Sequence, residues 1–269
     1  MSDDVFDAGW LALREDADHR SRAHDLAQRL AEAGTSMGWS AALDLGSGTG
    51  SNLRYLAPRL PWVESWTLLD HDVTLLGGAR APTVPDPIRV VGDLALEGIQ
   101  EIGSAHLVTA SALLDLVSKQ WLTQAVDACA ARGAAALFAL SYDGVVRWAE
   151  EDADDALVRD TLNEHQQREK GLGAALGPDA SHAAETLFEA EGYEVVLQPS
   201  PWRLSGPADR DLTVLLMRGW IEAALEIRPT EAARLHAWEA RRNEAVTAGH
   251  YSVEVGHYDL LALPPRRAE

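Results

Sequence analysis

The stretch that decides the fold is Ala41-Ala-Leu-Asp-Leu-Gly-Ser-Gly-Thr-Gly50, which is followed by Ser51-Asn-Leu-Arg-Tyr-Leu56. The first five residues predict a buried strand, and the last six predict the start of a helix. A strand that runs through a glycine-rich turn into a helix N-terminus is typical of a site for a nucleotide or a nucleoside. Glycine is needed there because the backbone must turn tightly and approach the ligand with no Cβ in the way.

The spacing of the glycines separates two classes of ligand. The dinucleotide fingerprint has glycines at its first, third and sixth positions. Counted from Gly46, the sixth position is Ser51, so this fingerprint fails. The motif is instead G-x-G-x-G with a carboxylate, Asp44, two residues before it.

This arrangement resembles motif I of the class I S-adenosylmethionine-dependent methyltransferases, and the resemblance continues along the chain. In that family a carboxylate at the end of the second strand binds both ribose hydroxyls, and Leu68-Leu-Asp70-His-Asp72 supplies Asp70 at that place. A carboxylate that accepts hydroxyl donors forms charge-assisted hydrogen bonds, which are stronger than neutral ones. A third acidic residue of the family, after the third strand, contacts the adenine amino group, and Asp93 matches it.

The resemblance implies S-adenosyl-L-methionine as the cofactor and S-adenosyl-L-homocysteine as its product. The cofactor-binding residues that it implies are Asp44, Gly46, Ser47, Gly48, Gly50, Asn52, Asp70, His71, Asp93, Leu94, Ser111 and Arg14. Ser111 follows the fourth strand, where the family lines the methionine and methyl-acceptor sites. Arg14 belongs to an N-terminal segment of the kind that family members lay over the cofactor as a helix.

Several of these residues also have a purely structural interpretation. Asp44 fits a buried carboxylate that holds the glycine loop, and Asp93 fits the N-cap of the next helix, a position that favours aspartate. The helix that carries Arg14 also fits one that only packs on the sheet edge. A binding role is favoured by position, because Asp44, Asp70 and Asp93 fall at the carboxyl ends of successive strands, where open α/β sheets bind ligands.

Apolar segments alternate with amphipathic ones along most of the chain, which is typical of a parallel sheet covered by helices. The predicted strands are 41–45, 66–69, 88–91, 106–110, 134–140, 193–197 and 258–263. The predicted helices are 51–57, 72–79, 119–131 and 181–191, with two more in 8–34, broken near Glu15–Asp18, and two in 208–248. Together with the resemblance, this predicts an α/β fold with a Rossmann-like, seven-stranded, mostly parallel sheet, helices on both faces and an antiparallel last strand.

We interpret the chain as a single methyltransferase-like domain with four parts. Residues 1–39 are predicted to form an N-terminal helical lid, and residues 40–140 the cofactor-binding core. Residues 141–180 are predicted to be an insertion that builds the methyl-acceptor site after strand five. Residues 181–269 complete the sheet and carry the extra helices.

The insertion supplies the candidate catalytic residues. His165 and Glu169 are four residues apart, so a helix would place both on one face, and a neutral histidine has a pKa suited to removing a proton. We predict His165 as the general base, with Asp143 as the second choice; the alternative is a solvated helix end whose charges pair with one another. The predicted substrate-binding residues are Tyr142, Trp148, Gln166, Lys170 and Trp202. Trp148 and Trp202 are predicted to lie in loops and to stack on the methyl acceptor.

Composition limits the partners. Forty-two acidic and 23 basic residues give a net charge of −19, which argues against a sequence-independent nucleic-acid binder and against a polybasic membrane-surface protein. The one cysteine, Cys129, excludes an intrachain disulfide and a thiolate zinc cluster, and we predict no metal site. The acidic N-terminus is unlike a signal peptide, and no apolar run approaches the roughly 20 residues of a membrane helix. We therefore expect a cytoplasmic protein, a monomer or a homodimer, that acts on a small molecule.

The predicted function is methyl transfer from S-adenosylmethionine to a small-molecule acceptor by direct in-line displacement. Methylation of oxygen or nitrogen is favoured over methylation of carbon. The Asn-Pro-Pro-Tyr type of motif found in amide and adenine N-methylation is absent after strand four, where Ala110-Ser-Ala-Leu113 stands. Two alternatives stay open: a catalytically silent cofactor-binding partner subunit, and an aminopropyl transferase on the same fold. The latter normally has an Asp-rich motif after strand four, which the lone Asp115 does not match.

Overall fold

The computed structural model describes residues 7–265 and has a mixed sheet at its centre. The strands are β1 (Ala41–Leu45), β2 (Ser65–Asp70), β3 (Ile88–Val91), β4 (Leu107–Ser111), β5 (Ala135–Trp148), β6 (Glu194–Pro199), β7 (Trp202–Ser205) and β8 (Ser252–Leu263). Within residues 7–265, seven strands follow the order β3-β2-β1-β4-β5-β8-β6, and β7 pairs with the first residues of β8 outside this path. β1 to β5 are parallel, whereas β8 is antiparallel to β5 and β6. The predicted α/β sheet with an antiparallel last strand is confirmed.

Helices connect the strands and cover the sheet. They are α1 (Ala8–Ser21), α2 (His24–Met37), α3 (Ser51–Leu56), α4 (Val73–Gly78), α5 (Ile99–Ile102), α6 (Lys119–Arg132), α7 (Asp155–Gln166), α8 (Ala180–Ala190), α9 (Arg210–Ile227) and α10 (Ala232–Ala248). Their ends follow from local chemistry. The Ser118 hydroxyl accepts a hydrogen bond from the Trp121 N–H and begins α6, and Gly133 ends it in the left-handed conformation. Between residues 7 and 265, no helix combines the length and the hydropathy that crossing a bilayer demands.

Two apolar cores lie on opposite faces of the sheet. Leu43 and Leu45 of β1 pack in one core with residues of α6 and α8. Ala42, one residue before Leu43, packs in the other core with residues of α2 and α3. This alternation follows from the two-residue period of a strand, and it leaves the ends of the strands to form the functional edge.

β5 is longer than predicted, and β8, predicted over 258–263, begins earlier, at Ser252. β5 continues past Leu140 to Trp148 because it pairs with the N-terminal half of β8, through irregularities between Phe138 and Ser141 and between Tyr142 and Val146. The predicted insertion at 141–180 therefore begins as a strand. β7, which has four residues, was not predicted.

The first two helices are divided at a different place from the one predicted. α1 continues through Glu15–Asp18, because Asp18 pairs with Arg14 one turn earlier instead of ending the helix. The chain turns instead at Arg22, whose backbone is extended, and α2 begins at His24.

Arg22 joins the N-terminal helices to the sheet. Its Nε donates to Asp259 Oδ2 of β8 at 2.9 Å, and its Nη1 donates to Asn52 Oδ1 of α3 at 2.9 Å. Asp259 Oδ1 accepts from the backbone N–H of Leu140 at 2.8 Å. Leu140 has a φ of +53°, a conformation that is costly for a residue other than glycine. The buried ion pair therefore also holds the bend in β5.

Replacing Arg22 by methionine is expected to lower the free energy of unfolding by about 3–5 kcal/mol, because it leaves the Asp259 carboxylate buried without its cation. The matched control is Arg29→Met, which breaks an exposed pair with Glu194 and should change that free energy by at most about 1 kcal/mol. Urea unfolding of both variants measures the difference. Equal losses of unfolding free energy in the two variants would contradict the role of Arg22 in joining the N-terminal helices to the sheet.

Candidate active site

The loop between β1 and α3 has a backbone that only glycine adopts readily. Gly46, Gly48 and Gly50 have φ values of +61°, +50° and +81°. A Cβ on Gly48 would lie 3.2 Å from Leu11 Cδ1, and a Cβ on Gly50 would lie 3.1 Å from the Ala79 Cβ. Both the conformation and the close neighbours therefore require glycine in this loop.

Asp70, the last residue of β2, closes the glycine loop. Its Oδ2 accepts a hydrogen bond from the Gly48 N–H at 2.8 Å, and its Oδ1 accepts from the Asp72 N–H at 3.0 Å. These bonds hold the Asp70 carboxylate beside the loop. The neighbouring His71 side chain is 80% exposed, with Nδ1 3.2 Å from Asp70 Oδ1. Asp72 caps α4, since its side chain accepts from the Thr74 N–H.

Asp44, near the end of β1, is buried with one oxygen unsatisfied. Its Oδ1 accepts from Asn52 Nδ2 at 2.7 Å, and the same amide nitrogen donates to Thr109 Oγ1 at 3.0 Å. No hydrogen-bond partner contacts Asp44 Oδ2. Burial raises the pKa of this carboxyl to about 7, although the bond from Asn52 opposes the rise. Asn52, predicted to bind the cofactor, thus lies in the buried network that holds Asp44.

Asp93 lies at the same edge of the sheet but in a more open place. It is exposed, and its Oδ1 accepts from the Ala95 N–H at 2.6 Å as the N-cap of the π-helical turn Leu94–Gly98. The Leu94 carbonyl accepts from Trp121 Nε1 at 2.9 Å. The predicted capping role of Asp93 is confirmed. Because β1, β2 and β3 are parallel neighbours, Asp44, Asp70 and Asp93 share one edge of the sheet.

α1 lies across the glycine loop and is attached to α3. Besides the approach of Leu11 to Gly48, the Arg54 guanidinium of α3 donates from Nε to Glu15 Oε1 at 2.7 Å. This bond lowers the pKa of Glu15. His19 Nε2 lies 3.1 Å from the Ser51 carbonyl, at the first residue of α3.

Arg14, on the same helix, belongs to a closed set of three side chains. Its Nε donates to Asp18 Oδ2 at 2.9 Å, and its guanidinium lies 5.1 Å from the centre of the Trp202 ring. Trp202 Nε1 in turn donates to Asp18 Oδ1 at 3.1 Å. These contacts fix Arg14 between the N-terminal helix and β7. Trp202 is buried in β7, so its predicted position in a loop is wrong.

Further buried polar side chains from β5 and β8 adjoin this set. The His257 ring centre is 5.2 Å from that of Trp202 and 6.2 Å from that of Tyr142. The Tyr142 hydroxyl donates to Asn163 Oδ1 of α7 at 2.8 Å. Burial, with a smaller contribution from Arg14, lowers the pKa of His257 to about 3, so its imidazole is neutral at physiological pH.

Solved structures share this arrangement of strands and helices, whereas no protein-family model and no curated protein sequence matches the chain. A candidate type II methyltransferase from Anaeromyxobacter dehalogenans is 18% identical, with a TM-score of 0.52 over 90% of this chain and 97% of that chain. The fold is that of the class I methyltransferases. A SAM-dependent methyltransferase from Geobacter sulfurreducens in complex with S-adenosyl-L-homocysteine is also 18% identical, with a TM-score of 0.44 over 96% of this chain and 98% of that chain.

Within this methyltransferase fold, His165 lies near the end of α7 and turns to α9. Its Nε2 is 3.4 Å from Glu226 Oε2. Burial lowers the pKa of His165, and Lys170 adds to this effect. α7 ends before Glu169, so the predicted helical face shared by His165 and Glu169 is wrong. Glu169 instead accepts a hydrogen bond from the Gly173 N–H at 2.7 Å and shapes the following turn.

Asp143 lies at the bulge of β5, away from His257. Its Oδ1 accepts from the Val145 N–H at 2.9 Å, and a Cβ on Gly256 of β8 would collide with its carboxylate. Because successive residues of a strand point to opposite faces, Asp143 and His257 lie on opposite faces of β8. Burial raises the pKa of Asp143. The structure therefore does not bring the two predicted catalytic residues, Asp143 and His165, into contact with the glycine loop.

Three other predicted substrate-binding residues, Trp148, Gln166 and Lys170, lie at the end of β5 and around the end of α7. Trp148 is the last residue of β5 and not part of a loop; it is buried against Trp238, and the Arg242 guanidinium lies 4.3 Å from its ring centre. Gln166 ends α7 beside Gly177. Lys170 lies in the turn after α7, where its charge lowers the pKa of His165.

Three buried polar residues near the glycine loop were not selected from the sequence as site residues: Asp18, Asp115 and His257. Asp115 lies in the short turn after β4, and Ser111 lies at the end of β4 itself. One feature of the sequence could have indicated His257: it stands two residues before Asp259, next to the apolar run Leu260-Leu-Ala-Leu263. Polar residues in a buried strand need partners, which the sequence does not name.

The Asp44 carboxyl is expected to make stability depend on pH. Its pKa is raised from 3.8 to about 7 in the folded chain, so the folded state binds an extra proton between these values and stability falls as pH rises across them. The slope is at most about 1.4 kcal/mol per pH unit. In Asp44→Asn this contribution is absent.

Urea unfolding of the wild type and Asp44→Asn between pH 4.5 and pH 8 measures the effect. The free energy of unfolding of the wild type, relative to that of the variant, should fall toward pH 7 and then level off. Asp86→Asn is the control at an exposed carboxyl whose pKa is lowered by Arg89; its difference from the wild type should not fall over this range. A constant difference between wild type and Asp44→Asn would refute a raised pKa at Asp44.

Proposed function

We propose that the chain is an S-adenosyl-L-methionine-dependent methyltransferase whose methyl acceptor is a small molecule. The observation that carries this proposal is the hydrogen bond between the Gly48 N–H and Asp70 Oδ2, 2.8 Å long. It places a backbone that admits only glycine directly beside a carboxylate at the end of the second strand. That combination suits an adenosine, whose ribose hydroxyls are donors for the carboxylate.

The residues present fit the cofactor. Each Asp70 oxygen accepts one backbone N–H, and a carboxylate oxygen has a second lone pair that can accept a ribose hydroxyl. Asp44 Oδ2 is buried without a partner, and the cradle at Gly48 would be filled by a Cβ. Asp44, the glycine loop and Asp70 would therefore hold the cofactor, with Asp93 at the open end of the same edge.

When bound, S-adenosylmethionine supplies an activated methyl group. The protein must then align the nucleophile and exclude water. α1 is the element placed to exclude water, because Leu11 packs on Gly48 and the Glu15–Arg54 pair attaches the helix to α3. This supports residues 7–39 as a lid over the cofactor; residues 1–6 of the predicted lid lie outside the described residues.

The polar side chains packed against α1 favour an enzyme over a silent partner subunit. Trp202, His257 and Tyr142 are buried beside the half-buried Arg14, and His257 Nδ1 has no partner. An unpaired buried atom suits a bound acceptor, for which a silent subunit has no use. Burial under α1 favours a small acceptor, and the net charge of −19 disfavours nucleic acid. We therefore propose methylation of an oxygen or a nitrogen of a small molecule in the cytoplasm.

Isothermal titration calorimetry with S-adenosylmethionine, S-adenosylhomocysteine and NADH tests the cofactor. We expect both adenosyl compounds to bind and NADH to bind at least tenfold more weakly, because the loop lacks the third glycine of the dinucleotide fingerprint. Tighter binding of NADH would overturn the proposal.

Gly48→Ala is expected to weaken S-adenosylhomocysteine binding about tenfold or more, since the new Cβ meets both a positive φ and Leu11 at 3.2 Å. Gly38→Ala is the matched control, because Gly38 has a φ of +65° but nothing within 4 Å of an added Cβ. Calorimetry on both variants separates backbone strain from close approach. Equal losses of affinity would mean that the loop is not the cofactor cradle.

A further inference from the structure

Two side-chain atoms, one on Asp115 and one on His257, are buried without a hydrogen-bond partner. The His257 Nδ1 atom accepts a hydrogen bond when the ring proton is on Nε2, and this is the tautomer considered below. Asp115, in the 3-10 turn Leu114–Leu116, is 7% exposed, and its Oδ1 has no hydrogen-bond partner. His257, in β8, is 6% exposed, and its Nδ1 has none. A buried polar atom left unsatisfied costs about 1–3 kcal/mol, and a bound ligand that supplies the missing partner removes this cost.

The charge of Arg14 acts on both groups, and Tyr142 is a neighbour of both. Burial raises the pKa of Asp115 to about 6, and Arg14 and the Tyr142 backbone N–H are among the groups that oppose the rise. Burial lowers the pKa of His257, and Arg14 adds to this effect. The Tyr142 ring also contacts the His257 ring. At neutral pH the two groups are thus a carboxylate and a neutral imidazole, joined through Arg14 and Tyr142.

This pair lies beside the proposed cofactor loop. Leu113, two residues before Asp115, is the side chain nearest to an added Cβ on Gly46, at 3.3 Å. Arg14 follows Leu11, which packs on Gly48, by three residues and so lies on the same face of α1. Ala112, which leads into the Asp115 turn, has a φ of +53°. Such strain in a residue other than glycine is typical of functional sites.

We propose that Asp115 and His257 together bind the methyl acceptor, as two hydrogen-bond acceptors for an amine or a hydroxyl compound that presents two N–H or O–H donors. This rests on the proposed function. Asp115 acts as the base. The lone pair of the nucleophile forms the bond to the methyl carbon, the carbon–sulfur bond breaks with its electron pair going to sulfur, and the N–H or O–H proton moves to the Asp115 carboxylate.

The charges around the pair narrow the class of acceptor further. Arg14 and Lys170 both lower the pKa of Asp115, so two cations lie near its carboxylate. They disfavour a permanently cationic acceptor such as a quaternary ammonium, which also lacks an N–H donor. A neutral amine or hydroxyl compound satisfies both unpaired atoms at no such cost.

The test uses the wild-type chain saturated with S-adenosylhomocysteine and two pairs of probes of matched shape. Aniline and catechol carry two donor hydrogens each, whereas toluene and 1,2-difluorobenzene carry none. The 15N chemical shifts of the His257 imidazole, assigned by their loss in His257→Gln, report on binding at the pair. We expect aniline and catechol to move these shifts and the two matched compounds to leave them unchanged.

Asp115→Asn keeps the shape of the side chain but replaces one hydrogen-bond acceptor by a donor. It is expected to weaken aniline binding about tenfold or more, with S-adenosylhomocysteine affinity within threefold of the wild type. Asp160→Asn and His236→Gln, at exposed positions on α7 and α10, are the controls and should leave aniline binding unchanged.

The outcomes separate the two proposals. If the wild type binds S-adenosylhomocysteine but the probes leave His257 unmoved, or if donors and matched compounds act alike, the Asp115–His257 pair is overturned and the cofactor assignment stands. A response at His165 in place of His257 overturns it equally. A wild-type chain that does not bind S-adenosylhomocysteine overturns both.

Discussion

The hydrogen bond from the Gly48 N–H to the Asp70 carboxylate is the interaction on which the candidate site depends. It joins the loop after β1 to the end of β2 across 22 residues of chain. Parallel pairing of β1 with β2 brings the two strand ends to one edge, and glycine leaves the backbone free to present its N–H there. Without this bond the carboxylate and the loop would be neighbours only in the sheet order.

A buried polar network supports that edge from the opposite side. Arg22 contacts both Asp259 of β8 and Asn52 of α3, and Asn52 in turn holds Asp44. Such a network is costly unless each member has a partner. Its members come from the turn between α1 and α2, from β1, from α3 and from β8, so the N-terminal helices and this edge of the sheet are parts of one hydrogen-bonded unit.

Local sequence signals predicted the fold and the sheet edge that carries Asp44, Asp70 and Asp93. The features that the sequence did not predict depend on contacts between distant parts of the chain. The glycine loop, Asp70 and Asp93 could be predicted from adjacent residues, because each of them follows or ends an apolar strand. The extension of β5 to Trp148 depends on pairing with β8, more than 100 residues away. Likewise Asp115 follows β4 and His257 lies on β8, two strands that β5 separates in the sheet, so no local signal in the sequence relates these residues. His165 and Glu169 showed helical spacing, but the turn around Gly173 ends the helix first.

In the proposed function, cofactor binding depends on a local motif, and methyl-acceptor binding depends on residues that only the tertiary structure assembles. This difference explains why the glycine loop could be predicted from the sequence and the acceptor site could not. A strand-end motif must keep its spacing to form the cradle, whereas a buried acid and a buried histidine can come from any two elements that meet beside it.

The most direct measurement is a crystal structure of the chain with S-adenosylhomocysteine. The account predicts both ribose hydroxyls within hydrogen-bond distance of the Asp70 carboxylate, with the glycine loop against the ligand and α1 above it. Density for the ligand at another edge of the sheet, or an adenosine that makes no contact with Asp70, would contradict it.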